Sequence, residues 1–200
     1  MSCRMKRNIV LIGMRGSGKS HVGRILAEKL QRPLFDSDRV TEARANKSIA
    51  EIVAAGGWQT FRDMESKTCR SLGKKQGVII ATGGGVVTRA ENMAALHEHG
   101  IIVFLDVPIG ELIRRISGKK PGQRPSLTGK PIEVELEEIW REREQLYREA
   151  ADLVIPCQTD TSDKHAAATR TAEAILAQLQ AKASRLTVRS KTLQSRADES

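Results

Sequence analysis

The chain has 200 residues, 40% of them hydrophobic and 28% charged, the balance of a folded globule and not of a largely disordered protein. Aromatic residues make up only 3%, so the core is expected to be aliphatic, and stacking platforms for single-stranded nucleic acid are argued against. Part of the formal charge of +9 sits near the C-terminus, and the remainder suits an anionic small molecule as well as a polynucleotide.

No apolar run approaches the roughly 20 residues of a membrane span. Met1–Met14 turns from basic to apolar, but Ile9–Ile12 is soon followed by Arg15 and Lys19, so no secretory leader is expected there. Cys3, Cys69 and Cys157 lack metal-ligand spacing and are expected as free thiols in a reducing, cytoplasmic setting.

Asn8–Ile12 reads as a short buried strand. Gly13-Met14-Arg15-Gly16-Ser17-Gly18-Lys19-Ser20 follows directly and matches G-x-x-x-x-G-K-[ST] in full. A strand before it and a helix after it are the context that pattern needs. Glycines let backbone N–H groups converge on phosphate oxygens, and the helix N-terminus adds its positive end. Lys19 is expected to reach the β- and γ-phosphates of a nucleotide, and the Ser20 hydroxyl to hold Mg²⁺. Ser20–Leu30 carries Val22, Ile25, Leu26 and Leu30 at helical spacing.

Pro33–Asp36 is the second expected strand, closed by Asp36-Ser37-Asp38. Ligands of open α/β sheets sit at the carboxyl ends of the strands. In extended backbone Asp36 and Asp38 would share a face, one near a metal and one near an acceptor hydroxyl. An N-cap with solvated turn aspartates gives the same spacing, with Asp38 itself a candidate cap for the next helix. Two helical stretches follow. The second opens with Ser48 and Glu51 in capping-box spacing and ends at Gly56-Gly57. A longer helix, Gln59–Lys75, carries Arg62 and Glu65 at i, i+3, which is also the spacing of an ordinary surface ion pair.

Val78–Thr82 is the third strand, breaking at Gly83-Gly84-Gly85. Three glycines there let the backbone come against a ligand, or form a flexible turn. Ala90–His99 reads as helix, Ile101–Asp106 as strand and Gly110–Ser117 as helix. Gly118–Lys130 is rich in Gly, Pro and basic residues, with Leu127 its sole apolar anchor. Arg124 within it is a candidate to close over phosphates, or a solvated loop charge. Ile132–Glu149 is a charged helix, with Arg148 following Leu146-Tyr147 near its end. Leu153–Ile155 is the last strand and Lys164–Leu179 a closing helix. The basic segment 181–200 is expected to be a polar, mobile tail. Five short apolar strands separated by helices predict a three-layer α/β/α fold on a five-stranded parallel sheet.

The motif set resembles shikimate kinase, a family of the P-loop nucleoside-monophosphate-kinase-like group. Its markers stand in order: GMRGSGKS at Gly13–Ser20, FDSD at Phe35–Asp38, SIAEI at Ser48–Ile52, and FR at Phe61-Arg62 with Glu65. GGG at Gly83–Gly85, RP at Arg124-Pro125 and LYREAAD at Leu146–Asp152 complete them. The resemblance runs from about Asn8 to Leu179. It implies a single domain over 1–180, with an acceptor-binding helical segment near 38–66 and a mobile lid near 118–130.

It further implies that ATP, with Mg²⁺, phosphorylates the 3-hydroxyl of shikimate on the way to chorismate and the aromatic amino acids. Lys19, Asp38 and Arg124 would be catalytic. Gly16, Ser17, Gly18, Lys19, Ser20, His21, Arg115 and Arg124 would bind ATP, with Arg115 against adenine. Asp38, Arg62, Gly84 and Arg148 would bind shikimate, the two arginines gripping its carboxylate. Ser20 and Asp36 would serve Mg²⁺, Asp36 through water. His21 stands where the family usually has threonine. ATP and shikimate would be the partners of a cytoplasmic monomer that engages neither nucleic acid nor membrane.

Two other readings fit parts of the chain. Another small-molecule kinase, acting on gluconate or a nucleoside monophosphate, would keep Gly13–Ser20 without needing Arg62 and Arg148 together with Asp38. A nucleotide-dependent binding protein would use the basic tail on nucleic acid, although no helix-turn-helix or aromatic platform accompanies it.

Overall fold

The structure is a computed structural model and describes residues 7–117, 130–157 and 163–197. Its five strands are β1 (Asn8–Ile12), β2 (Leu34–Asp36), β3 (Ile79–Ala81), β4 (Gly100–Asp106) and β5 (Leu153–Pro156). They form one parallel sheet in the order β2-β3-β1-β4-β5. The central strand, β1, is buried along its whole length, as a strand covered on both faces must be. Asn8 ties the start of β1 to β3: its side chain accepts from Val78 N at 3.1 Å and donates to Lys75 O at 2.7 Å.

Among the described residues seven α-helices flank the sheet: α1 (Lys19–Leu30), α2 (Ser37–Ala45), α3 (Ile49–Gly73), α4 (Ala90–His97), α5 (Ile109–Ser117), α6 (Ile132–Ala150) and α7 (Lys164–Ala197). Helix α1 packs with α7, α3 with α4, and α5 with α6. The main core is aliphatic around β1, β3 and β4, with Phe104 and Tyr147 stacked within it. A separate small cluster of Ile49, Ile52 and Phe61, with Trp58 and Met64 against it, gives the α2–α3 segment its own footing.

The expected elements are all present, with two differences. Helix α2 begins at Ser37, so Asp36 and Asp38 do not share an extended face. Asp36 is the cap, accepting from Asp38 N at 3.1 Å and Arg39 N at 3.4 Å. Helix α3 opens with the expected Ser48–Glu51 capping box, and its helical geometry breaks at Gly57, where the first arm was expected to end. The second, longer arm runs on from that kink to Gly73, and the φ of 73° at Gly57 is one that only glycine adopts readily. The helix expected to stop at Leu179 runs to Ala197, although a mobile polar tail was expected from 181. Ala, Leu, Arg, Lys and Gln dominate that stretch and no Gly or Pro breaks it, so propensity carries the helix past its packed part. The lid segment 118–129, with Arg124, lies outside the described residues, as do Cys3 and residues 198–200.

This topology brings the turns after β1, β2 and β3 to one end of the sheet. That is the carboxyl end, beside the point where the chain reverses its direction of winding around β1.

Candidate active site

The turn from β1 into α1 is built by three glycines at positive φ: Gly13 at 141°, Gly16 at 85° and Gly18 at 95°. A side chain at Gly13 would stand 3.0 Å from Leu105 O and at Gly16 3.0 Å from Ile116, so space and backbone both demand glycine. Lys19, the first residue of α1, is buried. Its ammonium donates to Gly13 O at 2.7 Å, Met14 O at 2.8 Å and Ser17 Oγ at 3.2 Å, which holds it across the loop. The loop with the α1 N-terminus forms an anion-binding cradle.

Ser20 Oγ donates to Asp36 Oδ2 at 2.7 Å, joining the end of β2 to the cradle. A hydroxyl and a carboxylate are the hard oxygen donors that suit Mg²⁺. That ion keeps waters and phosphate oxygens for its remaining positions, so one or two protein oxygens suffice. Among the described residues no group of three His, Cys, Asp or Glu forms a cation cage.

Arg115 lies on the other rim of the loop. Its guanidinium donates to Glu111 Oε1 at 2.6 Å and to Gly16 O at 3.3 Å, whereas the neighbouring Arg114 faces solvent on Glu111. The hydrogen bond from Arg114 leads in holding the Glu111 carboxyl below its usual range, with burial opposing and Arg115 adding to it. His21, next after Ser20, meets His165 at the start of α7, with Nε2 and Nδ1 3.3 Å apart. Burial lowers the His21 pKa, Arg24 and His165 add to this, and Asp163 opposes it.

Beside the cradle opens a cleft lined by Arg15, Asp38, Arg62, Glu65, Gly83–Gly85, Glu135 and Arg143, with Trp58, Phe61, Leu136 and Ile139 as its apolar wall. Arg62 is fixed from several sides. It donates to Glu65 Oε2 at 2.6 Å and lies 5.2 Å from the centre of the Phe61 ring and 5.8 Å from that of Trp58. A Cβ on Gly85 would collide with its guanidinium. A Cβ on Gly83 would stand 2.6 Å from Asp38 Oδ1 and 2.8 Å from Glu65 Oε1, so both carboxylates lie directly over that backbone. The triple glycine is therefore a close-approach surface more than a loose turn.

Asp38, Arg62 and Gly84 come together as expected. Arg148 does not join them. Its guanidinium is on the surface, 3.0 Å from both Asp106 Oδ2 and Glu144 Oε1, and its side chain is 44% exposed. Its place is taken by Arg143, which the sequence reading missed. Arg143 Nη1 donates to Gly84 O at 3.4 Å, and Tyr147 OH donates to the same carbonyl. Burial pushes the Tyr147 phenol up to about 12, so it stays a donor.

The signal was periodicity. Glu135, Ile139, Arg143 and Tyr147 recur every four residues along α6 and face inward, whereas Arg148 is turned about 100° from Tyr147. Two buried atoms in the cleft, Glu65 Oε1 and Arg143 Nε, have no hydrogen-bond partner among the described residues. Such groups are costly unless a ligand satisfies them. The cleft thus offers guanidinium donors for an anion and carboxylate acceptors for hydroxyls, next to a phosphate cradle.

Cys69 and Cys157 are buried free thiols, pushed up to about 12 and about 11 chiefly by burial, and take no part in this chemistry. Among the described residues no helix is long and apolar enough to cross a membrane.

Comparison with known proteins points one way. The family profile described as shikimate kinase matches residues 15–191. A shikimate kinase of Nitratidesulfovibrio vulgaris is 47% identical over 148 residues, 74% of this chain and 85% of that protein. A shikimate kinase 2 of an Enterobacter species is 42% identical over 152 residues, 76% of this chain and 87% of that one. Among solved structures, shikimate kinase from Acinetobacter baumannii in complex with shikimate superposes with a TM-score of 0.79. It is 34% identical, and the match covers 88% of this chain and 94% of that one.

Proposed function

The chain belongs to the shikimate kinase family, and from that premise we propose how its cleft phosphorylates shikimate. It is an ATP-dependent kinase that transfers a phosphoryl group to a ring hydroxyl of shikimate. We assign that hydroxyl as the one at position 3.

The observation that carries the site assignment is the meeting of Asp38, Arg62 and Arg143 over Gly83–Gly85, beside the Gly13–Ser20 cradle. Shikimate is a small monoanion bearing several hydroxyls. Arg62 and Arg143 would grip its carboxylate, since a planar guanidinium offers paired donors to a planar anion. Glu65 would hold Arg62 in place. Asp38 would accept from the attacking hydroxyl and orient it toward the γ-phosphate. Gly84 would present backbone to the ring.

On the nucleotide side, the N–H groups of Gly16, Ser17 and Gly18 would cradle the phosphates, with Ser20 and His21 at their near end. Lys19 would leave its loop carbonyls for the β- and γ-oxygens, and Arg115 would lie against adenine. Ser20, and Asp36 through water, would hold Mg²⁺. When bound, Mg²⁺ neutralises charge that builds on the bridging phosphate oxygens. Arg124 would add a further cation from the lid. Phosphoryl transfer needs little covalent help, so positioning and charge neutralisation supply most of the rate.

The test is ADP release by purified protein with Mg-ATP and separate acceptors: shikimate, gluconate and a nucleoside monophosphate. Turnover on shikimate alone, with phosphate found on the 3-hydroxyl by NMR, is the expected result. Asp38→Asn should lower kcat a hundredfold or more, about the usual worth of a general base, while ADP still binds. Preference for gluconate, or near-native turnover by the variant, would overturn the assignment.

A further inference from the structure

The polar contact between His21 and His165 joins residues 144 positions apart, beside the first turn of α1 that closes the cradle. His21 directly follows Ser20 in the first turn of α1, and His165 stands in the first turn of α7. The rings face each other nearly end to end, with centroids 5.4 Å apart and planes tilted by 38°. Asp163 is occupied in capping α7, accepting from His165 N at 2.8 Å and Ala166 N at 3.2 Å, which fixes where His165 stands. Beyond burial, the Arg24 cation acts on His21 and helps to lower its pKa.

Joined nitrogen to nitrogen with one proton between them, two neutral imidazoles would have a fixed outward chemistry. If His21 Nε2 donates, His165 shows an N–H at Nε2 and His21 a lone pair at Nδ1. If His165 Nδ1 donates, the two outward roles exchange. In either case the pair presents one donor and one acceptor, beside Arg24 and the positive end of α1. One donor and one acceptor near a cation suit a phosphate oxygen with a neighbouring sugar hydroxyl, the part of a nucleotide that is not transferred.

We propose that His165 is a nucleotide-positioning residue: it holds the His21 ring so that the pair contacts the α-phosphate and ribose of bound ATP or ADP. This rests on the reading of Gly13–Ser20 as the ATP site and adds a residue from α7, far along the chain, to it.

The test uses the full-length enzyme. ADP binding is measured by calorimetry, and KM for ATP and kcat are measured at saturating shikimate. Wild-type binding of ADP checks the underlying reading on its own. His165→Ala should weaken ADP binding and raise KM for ATP about fivefold, the worth of one net hydrogen bond, with kcat falling less than twofold. His165→Asn, which keeps a side-chain hydrogen-bonding group, should recover part of the loss. His165→Ala should add nothing once His21→Ala is present.

Glu173→Gln is the control for simple helix docking. It takes the charge from the other polar link between α1 and α7 among the described residues, Lys29–Glu173 at 3.0 Å, and should leave nucleotide affinity unchanged. The proposal is overturned if His165→Ala leaves KM for ATP within twofold of wild type. It is equally overturned if the two histidine variants add, or if Glu173→Gln has the same effect as His165→Ala.

Discussion

Arg143 and Arg148 differ by five positions on one helix, and that offset separates a cleft donor from a surface charge. Arg143 has a buried Nε without a partner among the described residues and an Nη1 on Gly84 O, while Arg148 spends its donors on Asp106 and Glu144. Arg143→Ala should raise KM for shikimate tenfold or more, about the worth of a charge-assisted hydrogen bond, with a smaller effect on ATP. Arg148→Ala removes exposed pairs and should change it less than twofold. Steady-state kinetics on the two variants decides between them, and the reverse order would restore Arg148 to the site. The meeting of the other three cleft residues was legible because each sits in a local motif: Asp38 after a strand, Arg62 beside an aromatic, Gly84 in a triple glycine. Arg143 was not legible in that way. Its place in the cleft comes from helical phase relative to Tyr147, and a motif centred on Leu146-Tyr147 drew attention to a neighbour that lies on the surface.

At the scale of the element, boundaries followed caps wherever a cap was strong. Ser48 and Glu51 form both halves of their box, with Glu51 N to Ser48 Oγ at 3.2 Å and Ser48 N to Glu51 Oε2 at 2.7 Å. Ser48→Ala should lower stability by about 1 kcal/mol, read from denaturant midpoints at unchanged slope. Sequence reasoning erred where a residue had two uses. Asp36 caps α2 and also bonds Ser20, so the short β2 turns straight into a helix where an extended pair was expected. Gly57, by contrast, breaks the helical geometry of α3 where the sequence placed a break, and apolar contacts on both sides of the kink hold the two arms together. The packing of α3 on α4 also could not be read from pattern. A Cβ on Gly73 would collide with Ala95 O, so Gly73→Ala should force the helices apart and lower stability by about 1–3 kcal/mol in the same assay. An unchanged midpoint would mean that the helices can separate at no cost.

Over the whole molecule, chemistry gathers at the carboxyl ends of the strands, while the opposite end is held by polar ties. Asp152 is the centre of one such tie. Its carboxylate accepts from Ile102 N at 2.9 Å and lies 3.2 Å from His97 Nε2 and 3.5 Å from Lys182 Nζ, linking β4, α4 and α7. Burial alone would raise its pKa, but the Ile102 amide, His97 and Lys182 together pull it below the ordinary 3.8. A carboxyl lowered on folding stabilises the native state above its unfolded pKa, and that contribution fades as pH falls through the folded value. Asp152→Asn should therefore be less stable than the parent above about pH 5, with the gap closing below about pH 4. A gap that widened in acid would contradict this.

The central claim concerns the other end of the sheet, where one cleft holds an anion and a hydroxyl against the phosphate cradle. Its most direct measurement is a crystal structure of the protein with ADP and shikimate. The carboxylate should lie within hydrogen-bond distance of both Arg62 and Arg143, with a ring hydroxyl on Asp38. A carboxylate resting on Arg148, or a ring lying away from Asp38, would contradict the account.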